Sequence, residues 1–330
     1  MKITYIFRPP SKEKSIERVF SAIIKAVKAK GHEVHVNYSK SFVFWPFGLI
    51  YNIIYYALLS RKEEGVYHIT GDIQYVACLM DKNKTVLTIH DLVPLHNRNV
   101  PWYSKWLCYW FWYYIPLRHL NYITCISEST RKDLLSFFPW ADKKITVIPN
   151  PISEGFDYSP KDFNTTCPRI LHVGTRDNKN LGRVILALNN IQCELVIIGQ
   201  LSDEQRTLLD DNSIKYINLF HITDEEIINE YKKADIISFP SLFEGFGMPI
   251  IEGQAIGRPV ITSIREPMRS VSGENAILVD PTSVDSIRDG ILTVINDTDK
   301  RELCVRGGLD NAKKYANDII SKKYLKLYSE

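Results

Sequence analysis

The chain has 330 residues, 45% of them hydrophobic and 24% charged, which is enough apolar material for two cores and too much for a disordered chain. Its formal net charge of +3 is only mildly basic, so composition gives no argument for a nucleic-acid partner. The six cysteines are scattered without a CxxC pair or zinc spacing, which speaks against a disulfide framework or a structural metal and for reduced thiols in a cytosolic protein.

The opening residues, MKITYIFRPP, lack the long apolar core of a signal peptide and predict a first strand at 2–7. Ile16, Val19, Phe20, Ile23, Ile24 and Val27 recur at helical spacing opposite Lys14, Arg18, Lys25 and Lys28, and Gly31 ends that helix. Short apolar runs then predict strands at 32–37, 66–70, 85–90, 122–127 and 145–148. Residues 150–168, rich in Pro, Ser, Asp and Asn, read as a linker. A second set of strands is predicted at 169–173, 194–198, 215–218, 235–239, 259–262 and 276–279. Strands alternating with helical periods predict an α/β protein of two doubly wound, Rossmann-like domains facing a central cleft, with ligands at the C-terminal ends of the strands.

Two stretches break the pattern. Residues 41–59, SFVFWPFGLIYNIIYYALL, are almost long enough to cross a bilayer, but Pro46, Gly48 and Asn52 interrupt them between two predicted strands. Residues 102–118 crowd Trp102, Tyr103, Trp106, Tyr109, Trp110, Phe111, Trp112, Tyr113 and Tyr114 beside Lys105, Arg118 and His119. A helix aromatic on all sides cannot bury every face in one small domain, so shallow contact with a membrane surface is expected of both stretches, core packing being the alternative. Arg61 and Lys62 would suit anionic headgroups.

The most informative segment is 238–262, SFPSLFEGFGMPIIEGQAIGRPVIT. A strand ends near Phe239, Gly245 and Gly247 permit a tight turn, Pro249 suits a helix start, and Gly257 with Pro259 stops that helix before the next strand. Backbone N–H groups at such a turn attract an anion, typically a phosphate, and Glu244 and Glu252 flank it.

The residues E-G-F-G-M-P-I-I-E resemble the E-x7-E signature of retaining GT-B glycosyltransferases of family four, or group one. The resemblance extends to GTRDNKNL (174–181), VIIGQ (196–200), LTIHD (87–91), CISEST (125–130) and VIPNP (147–151). It implies a GT-B fold with an acceptor-binding domain at 1–155, a nucleotide-sugar-binding domain at 156–315, and a last helix near 316–330 returning to the first. Lys179 would meet the donor diphosphate together with Arg176, for which a solvated loop charge is the alternative. Glu252 would hold the ribose hydroxyls. Glu244 would lie near the sugar, and Gly245, Phe246, Gly247 and Met248 would bring backbone groups to sugar and phosphate. His90 would stand beside the donor sugar and the reacting carbon, or else form a His-Asp turn with Asp91. The base would meet 220–222, Ile222 included, leaving uracil and guanine open. Ser127 would line the cleft or serve as a simple N-cap.

Where many members carry a glycine-rich loop after the first strand, this chain reads RPPSKEKSIERV, and Arg8, Lys12, Lys14 or Arg18 would instead serve an anionic acceptor. The implied activity is metal-independent, retaining transfer of a hexose from a UDP- or GDP-sugar to a lipid-linked saccharide in surface-polysaccharide or lipopolysaccharide assembly. It would take place in the cytoplasm, at the inner face of the plasma membrane. A GT-B epimerase or hydrolase, or an inactive binding subunit of a transferase complex, are the alternatives. The lone D-x-D, Asp297-Thr298-Asp299, reads as a surface turn, and no cofactor or metal is expected.

Overall fold

The computed structural model describes residues 1–10, 15–40, 47–96 and 100–330. They form two compact units, Met1–Pro151 with Asn317–Glu330, and Ile152–Ala316. The division comes at the start of the Pro- and Ser-rich stretch. Ile152 already belongs to the second unit because its N–H bonds to the Tyr315 carbonyl, and the Ser153 hydroxyl donates to Glu252.

The first unit is built on strands β1 (Lys2–Phe7), β2 (Glu33–Tyr38), β3 (Val66–Ile69), β4 (Thr85–Ile89), β5 (Tyr122–Cys125) and β6 (Ile145–Val147), in the order β2-β1-β3-β4-β5-β6. The second uses β7 (Arg169–Val173), β8 (Glu194–Ile198), β9 (Tyr216–Leu219), β10 (Ile236–Phe239), β11 (Val260–Ser263) and β12 (Ile277–Val279), in the order β12-β11-β10-β7-β8-β9. Both ladders are parallel, as crossover helices require, and β4 and β10 are buried along their whole length. Strands β3, β4 and β5 stop one or two residues short of the expected ends. Thr70, His90 and Ser127 thus leave the ladder for the loops. The edge strand β2 is shifted one residue from its expected place and leaves Val36 and Tyr38 exposed.

The helix Asn317–Tyr328 packs against the helix Ser15–Ala29 within the first unit, and Lys30 pairs with Asp318 at 2.8 Å. Tyr328 reaches the interior, where its hydroxyl lies 2.5 Å from His68 Nδ1 while Nε2 of that ring meets the Thr88 hydroxyl at 2.7 Å. His68 is fully buried, and burial pushes its pKa down to about 3. In the second unit the amino ends of the strands are closed by two buried arginines. Arg258 donates to the carbonyls of Ser159, Ile256 and Gly257 and, from its other terminal nitrogen, to Lys232, while Arg301 donates to Val294 and Ile295. Apart from that of Ser159, these carbonyls lie at or just past helix C-termini, where a cation satisfies orphan acceptors and the helix dipole together.

The aromatic stretches divide between core and surface. Residues 41–46 lie outside the described residues, and the rest of the first stretch is the helix Phe47–Lys62. This helix buries Asn52 and Tyr56 and exposes Phe47, Ile50, Tyr51, Ile54, Tyr55 and Leu58. The second stretch is a helix at Trp102–Leu107, a π-helical segment at Cys108–Tyr114, and a helix at Ile115–His119. Pro116 has no N–H to give, and the preceding Ile115 N–H reaches back five residues to the Trp110 carbonyl, which widens the turn. Tyr113 is buried in the core, and Trp112 donates its Nε1–H to the Asp72 carbonyl at 3.1 Å. Trp102, Tyr103, Trp106 and Phe111 are exposed. No described helix is long and apolar enough to cross a membrane.

Two buried neutral histidines make stability depend on pH. His172 in the second unit is held down to about 4 by burial and then by the charge of Lys179. Both folded-state values lie below the unfolded value of about 6.5, so the unfolded chain takes up protons first. The contribution is complete above pH 6.5 and is lost as pH falls toward 3 to 4. Each histidine should cost roughly 2 kcal/mol by pH 5. Thermal melts between pH 7.5 and 5 should fall accordingly, and His68→Gln should flatten part of the decline; parallel curves for the two proteins would refute the assignment.

Candidate active site

In the second unit, buried β10 ends at Phe239 and the chain turns through Pro240–Gly247 into the helix Met248–Ile256. Gly247 sits at φ +106°, and a Cβ there would lie 3.0 Å from Ile250 Cδ1, so glycine suits the turn on both counts. Every residue from Pro249 to Ile256 is buried. The helix can lie so deep because a Cβ at Gly253 would come within 2.8 Å of Ile237 Cγ1, which leaves room for glycine alone. Glu252 is therefore carried into the interior, where Oε1 accepts from the Ser153 hydroxyl at 2.8 Å and Oε2 from the Tyr231 hydroxyl at 3.0 Å. Its two hydroxyl partners carry no sequence motif, and only the fold brings them to it.

Glu244 stands in the loop before this helix, and its Oε1 accepts from Lys179 Nζ at 2.7 Å and from Asn178 Nδ2 at 3.2 Å. The lysine stem lies over Gly174, where a Cβ would be 2.8 Å from Lys179 Cγ, and its ammonium sits 4.8 Å from the centre of the Phe239 ring. The two loops are tied by amides. Asn178 donates to the Phe243 carbonyl, and Asn180, left-handed at φ +65°, donates to the carbonyls of Pro240 and Pro281 at 3.0 and 2.6 Å. The sequence thus points to Lys179 and Glu244 one by one, whereas the fold makes them a pair. Arg176 is exposed in the same turn. Gly245 and Met248 are half-buried in the turn, and Phe246 is buried with its ring 5.8 Å from that of Tyr315. Ile222 is half-buried beside exposed Phe220, just before the capping box of Thr223 and Glu226.

In the first unit His90 follows β4, with Nε2 2.6 Å from the Thr70 carbonyl. Two acceptor-site expectations change character here. The Arg8 guanidinium bonds to Glu17 at 3.2 Å and to Asp72 at 2.6 Å, so two carboxylates already neutralise the charge meant for an anionic acceptor. Ser127 is buried as the N-cap of the helix Glu128–Phe137, accepting from the Thr130 N–H at 3.0 Å, and its hydroxyl is committed to that helix rather than to a cleft. Lys12 and Lys14 lie outside the described residues. Asp297 likewise caps the helix Thr298–Lys313 through the Lys300 N–H.

Residues 157–309 match the family described as Glycosyl transferases group 1, and residues 65–155 match Glycosyltransferase Family 4. The O-antigen chain mannosyltransferase B of Escherichia coli is 25% identical over 232 residues, covering 62% of this chain. The chain matches only 60% of the length of that curated relative. The fold resembles a glycosyltransferase from Rickettsia africae ESF-5, with a TM-score of 0.79 at 18% identity over 99% of this chain and 97% of that one. It also resembles HepE from Anabaena, solved in complex with UDP and glucose, with a TM-score of 0.75 at 14% identity over 100% of both chains. Two parallel six-stranded sheets of this kind define the GT-B class of glycosyltransferase. Within that class, the chain belongs to the group 1, family 4 glycosyltransferases.

The environment of Glu252 can be tested without substrate. Tyr231→Phe removes one donor from a buried carboxylate and should lower stability by about 1 to 3 kcal/mol. Ser153→Ala should act in the same direction through the other oxygen, and chemical denaturation will measure both. No change in either variant would mean that the carboxylate finds its partners elsewhere.

Proposed function

We propose that the protein is a retaining hexosyltransferase that moves a hexose from a UDP- or GDP-sugar to a lipid-linked saccharide in the assembly of cell-surface polysaccharide or lipopolysaccharide. The observation that carries this reading is the pairing of Lys179 with Glu244 at 2.7 Å beside a glycine turn that opens a helix. A leaving nucleoside diphosphate gains negative charge as the sugar gains positive charge, so a cation and a carboxylate are needed within one side-chain length of each other. Diphosphate would engage Lys179, with Arg176 and the turn amides around Gly245 and Gly247, and would release Glu244 to face the anomeric carbon. Glu252 would hold the ribose hydroxyls, since a carboxylate can accept hydrogen bonds on both of its oxygens. His90 would meet a sugar hydroxyl.

In the proposed step the bond from C1 to the phosphate oxygen breaks and a bond from C1 to the acceptor oxygen forms on the same face. The acceptor's proton passes to the leaving phosphate. No divalent ion takes part in this scheme, because protein cations and helix-start amides meet the diphosphate charge. The E. coli relative, an O-antigen chain mannosyltransferase, supports the surface-polysaccharide setting and makes GDP-mannose a natural member of the donor panel.

Titration with UDP- and GDP-hexoses should give saturable binding to one of them, and Lys179→Ala should weaken it by at least about tenfold. Turnover should persist in excess chelator, and NMR of the first-formed glycoside should retain the donor's anomeric configuration. Absence of binding across the panel would sink the transferase reading, and an inverted product would sink same-face attack.

The proposal extends to the inner face of the plasma membrane. Exposed Trp102, Tyr103 and Trp106, and the outer face of Phe47–Lys62 with Arg61 and Lys62 at its end, offer rings and cations suited to an anionic lipid surface. Vesicles containing anionic lipid should bind the protein in a salt-sensitive way. Trp102→Ser combined with Trp106→Ser should release it with little change in melting temperature, since both rings are exposed. Equal affinity of variant and parent would exclude these rings from the contact.

A further inference from the structure

Among the described residues the edges of the two sheets are not alike. β6 has three residues, β9 four and β12 three, and strands so short offer little backbone for another chain to pair with. The edge strand β2 has six, paired residue for residue with β1 without a bulge. It contains neither proline nor lysine, the usual guards of an exposed edge.

The ladder decides which backbone groups are left over. Glu33 and Ser39 donate their N–H groups to the carbonyls of Met1 and Phe7, so the odd positions face β1, and Val34, Val36 and Tyr38 turn their N–H and C=O groups outward. No described residue bonds to those outward groups. The side chains of the same three residues share one face of the strand, where Val36 is 39% and Tyr38 49% exposed. There Phe7, Ile24, Val36 and Tyr38 line a groove of about 370 Å³ beside the helix Ser15–Ala29, with Glu17 toward one end of that helix and Lys25 and Lys28 toward the other.

We propose that β2 is an interface between two copies of this chain, joined edge to edge and antiparallel about a twofold axis through Val36, so that two six-stranded sheets become one of twelve strands. The strand is complementary to itself in this register. Val36 faces Val36 and Val34 faces Tyr38, while on the opposite face His35 meets Asn37 and Glu33 meets Ser39, so apolar side chains pair together and no like charges are opposed. Each of the three outward pairs exchanges two backbone bonds, about six in all. A crossover helix runs opposite to the parallel strands it joins, so the same axis sets the Glu17 end of the helix Ser15–Ala29 against the Lys25 and Lys28 end of its copy. Open sheets of this width occur in large α/β enzymes.

Sedimentation of the full chain at micromolar concentration should show a dimer, and a monomer there overturns the proposal. Val36→Pro removes an outward N–H that the β1 ladder does not use, so the fold tolerates it. Two interchain bonds are lost, and dimerisation should weaken by at least about tenfold. Val36→Lys, which sets two ammonium groups on the axis from an exposed position, should weaken it as well and keeps the test open if the proline variant misfolds. A dimer that persists in the folded variants overturns the interface. Val36→Thr keeps both the N–H and the β-branched shape and should dimerise as the parent does; a monomer here overturns the backbone pairing.

The register is read by crosslinking. Facing residues of a hydrogen-bonded antiparallel pair stand about 5.5 Å apart at Cα, within reach of a disulfide. Val36→Cys should therefore be oxidised by diamide to a covalent dimer linked through position 36, located by peptide mass spectrometry, whereas His35→Cys should not link to itself. Equal linkage in both variants, or linkage through native cysteines alone, overturns the twofold at Val36.

Discussion

A buried parallel sheet leaves a row of carbonyls at its C-terminal edge, just where the ladder stops and water is excluded, and each of them needs a donor. In this protein short side chains from neighbouring loops and strand ends supply many of those donors. Thr70 donates to Ile6, Asn180 to Pro240, Thr262 to Phe239, Asn218 to Gly199, and Thr175 to Gln200. Each such bond ties together the ends of two neighbouring strands or the loops that follow them. Satisfying the sheet and positioning the site are thus one operation, and Lys179, Glu244 and His90 sit on loops fastened in this way.

At the opposite end of the second unit, charge is used differently. Arg258 and Arg301 are almost wholly buried, yet most of their donors point at backbone carbonyls near helix C-termini rather than at carboxylates. Beside them Asp235 takes Lys161 together with the backbone N–H groups of Asn164 and Arg169, which stitches the linker to the first strand of the second sheet. The cleft of about 570 Å³ lined in part by Lys161, Asp235, Arg258 and Arg301 is crossed by internal bonds, because these four charges are already spent on the fold. The two ends of one sheet therefore have opposite characters: one is fastened by neutral amides that leave the ionic side chains to function, the other by ionic side chains themselves.

The aromatic segment between β4 and β5 serves two solvents at once. A π-helical turn ahead of Pro116 adds a residue to the helical repeat and shifts which rings face inward. Tyr113 then fills the core and Trp112 holds the 72 loop, while Trp102 and Trp106 remain outside. Composition alone could not divide these rings, since they are chemically alike. The division depends on where the widened turn falls.

The sequence by itself determined the α/β class, the order of the strands to within a residue or two, the strand-turn-helix around residues 239–257 and the residues that carry the family resemblance. It could do so because these features rest on local rules: apolar runs, glycines at special backbone angles, and a proline at a helix start. Only the tertiary structure decided what each charged or polar side chain is paired with. Glu252 meets Ser153 from a stretch read as linker, Lys179 meets Glu244 across 65 positions, Arg8 is spent on Glu17 and Asp72, and Ser127 is spent on a helix cap. Hydrogen bonds and ion pairs act over about 3 Å in space and have no period along the chain. Their partners become legible only when the sheet has brought distant loops to one edge.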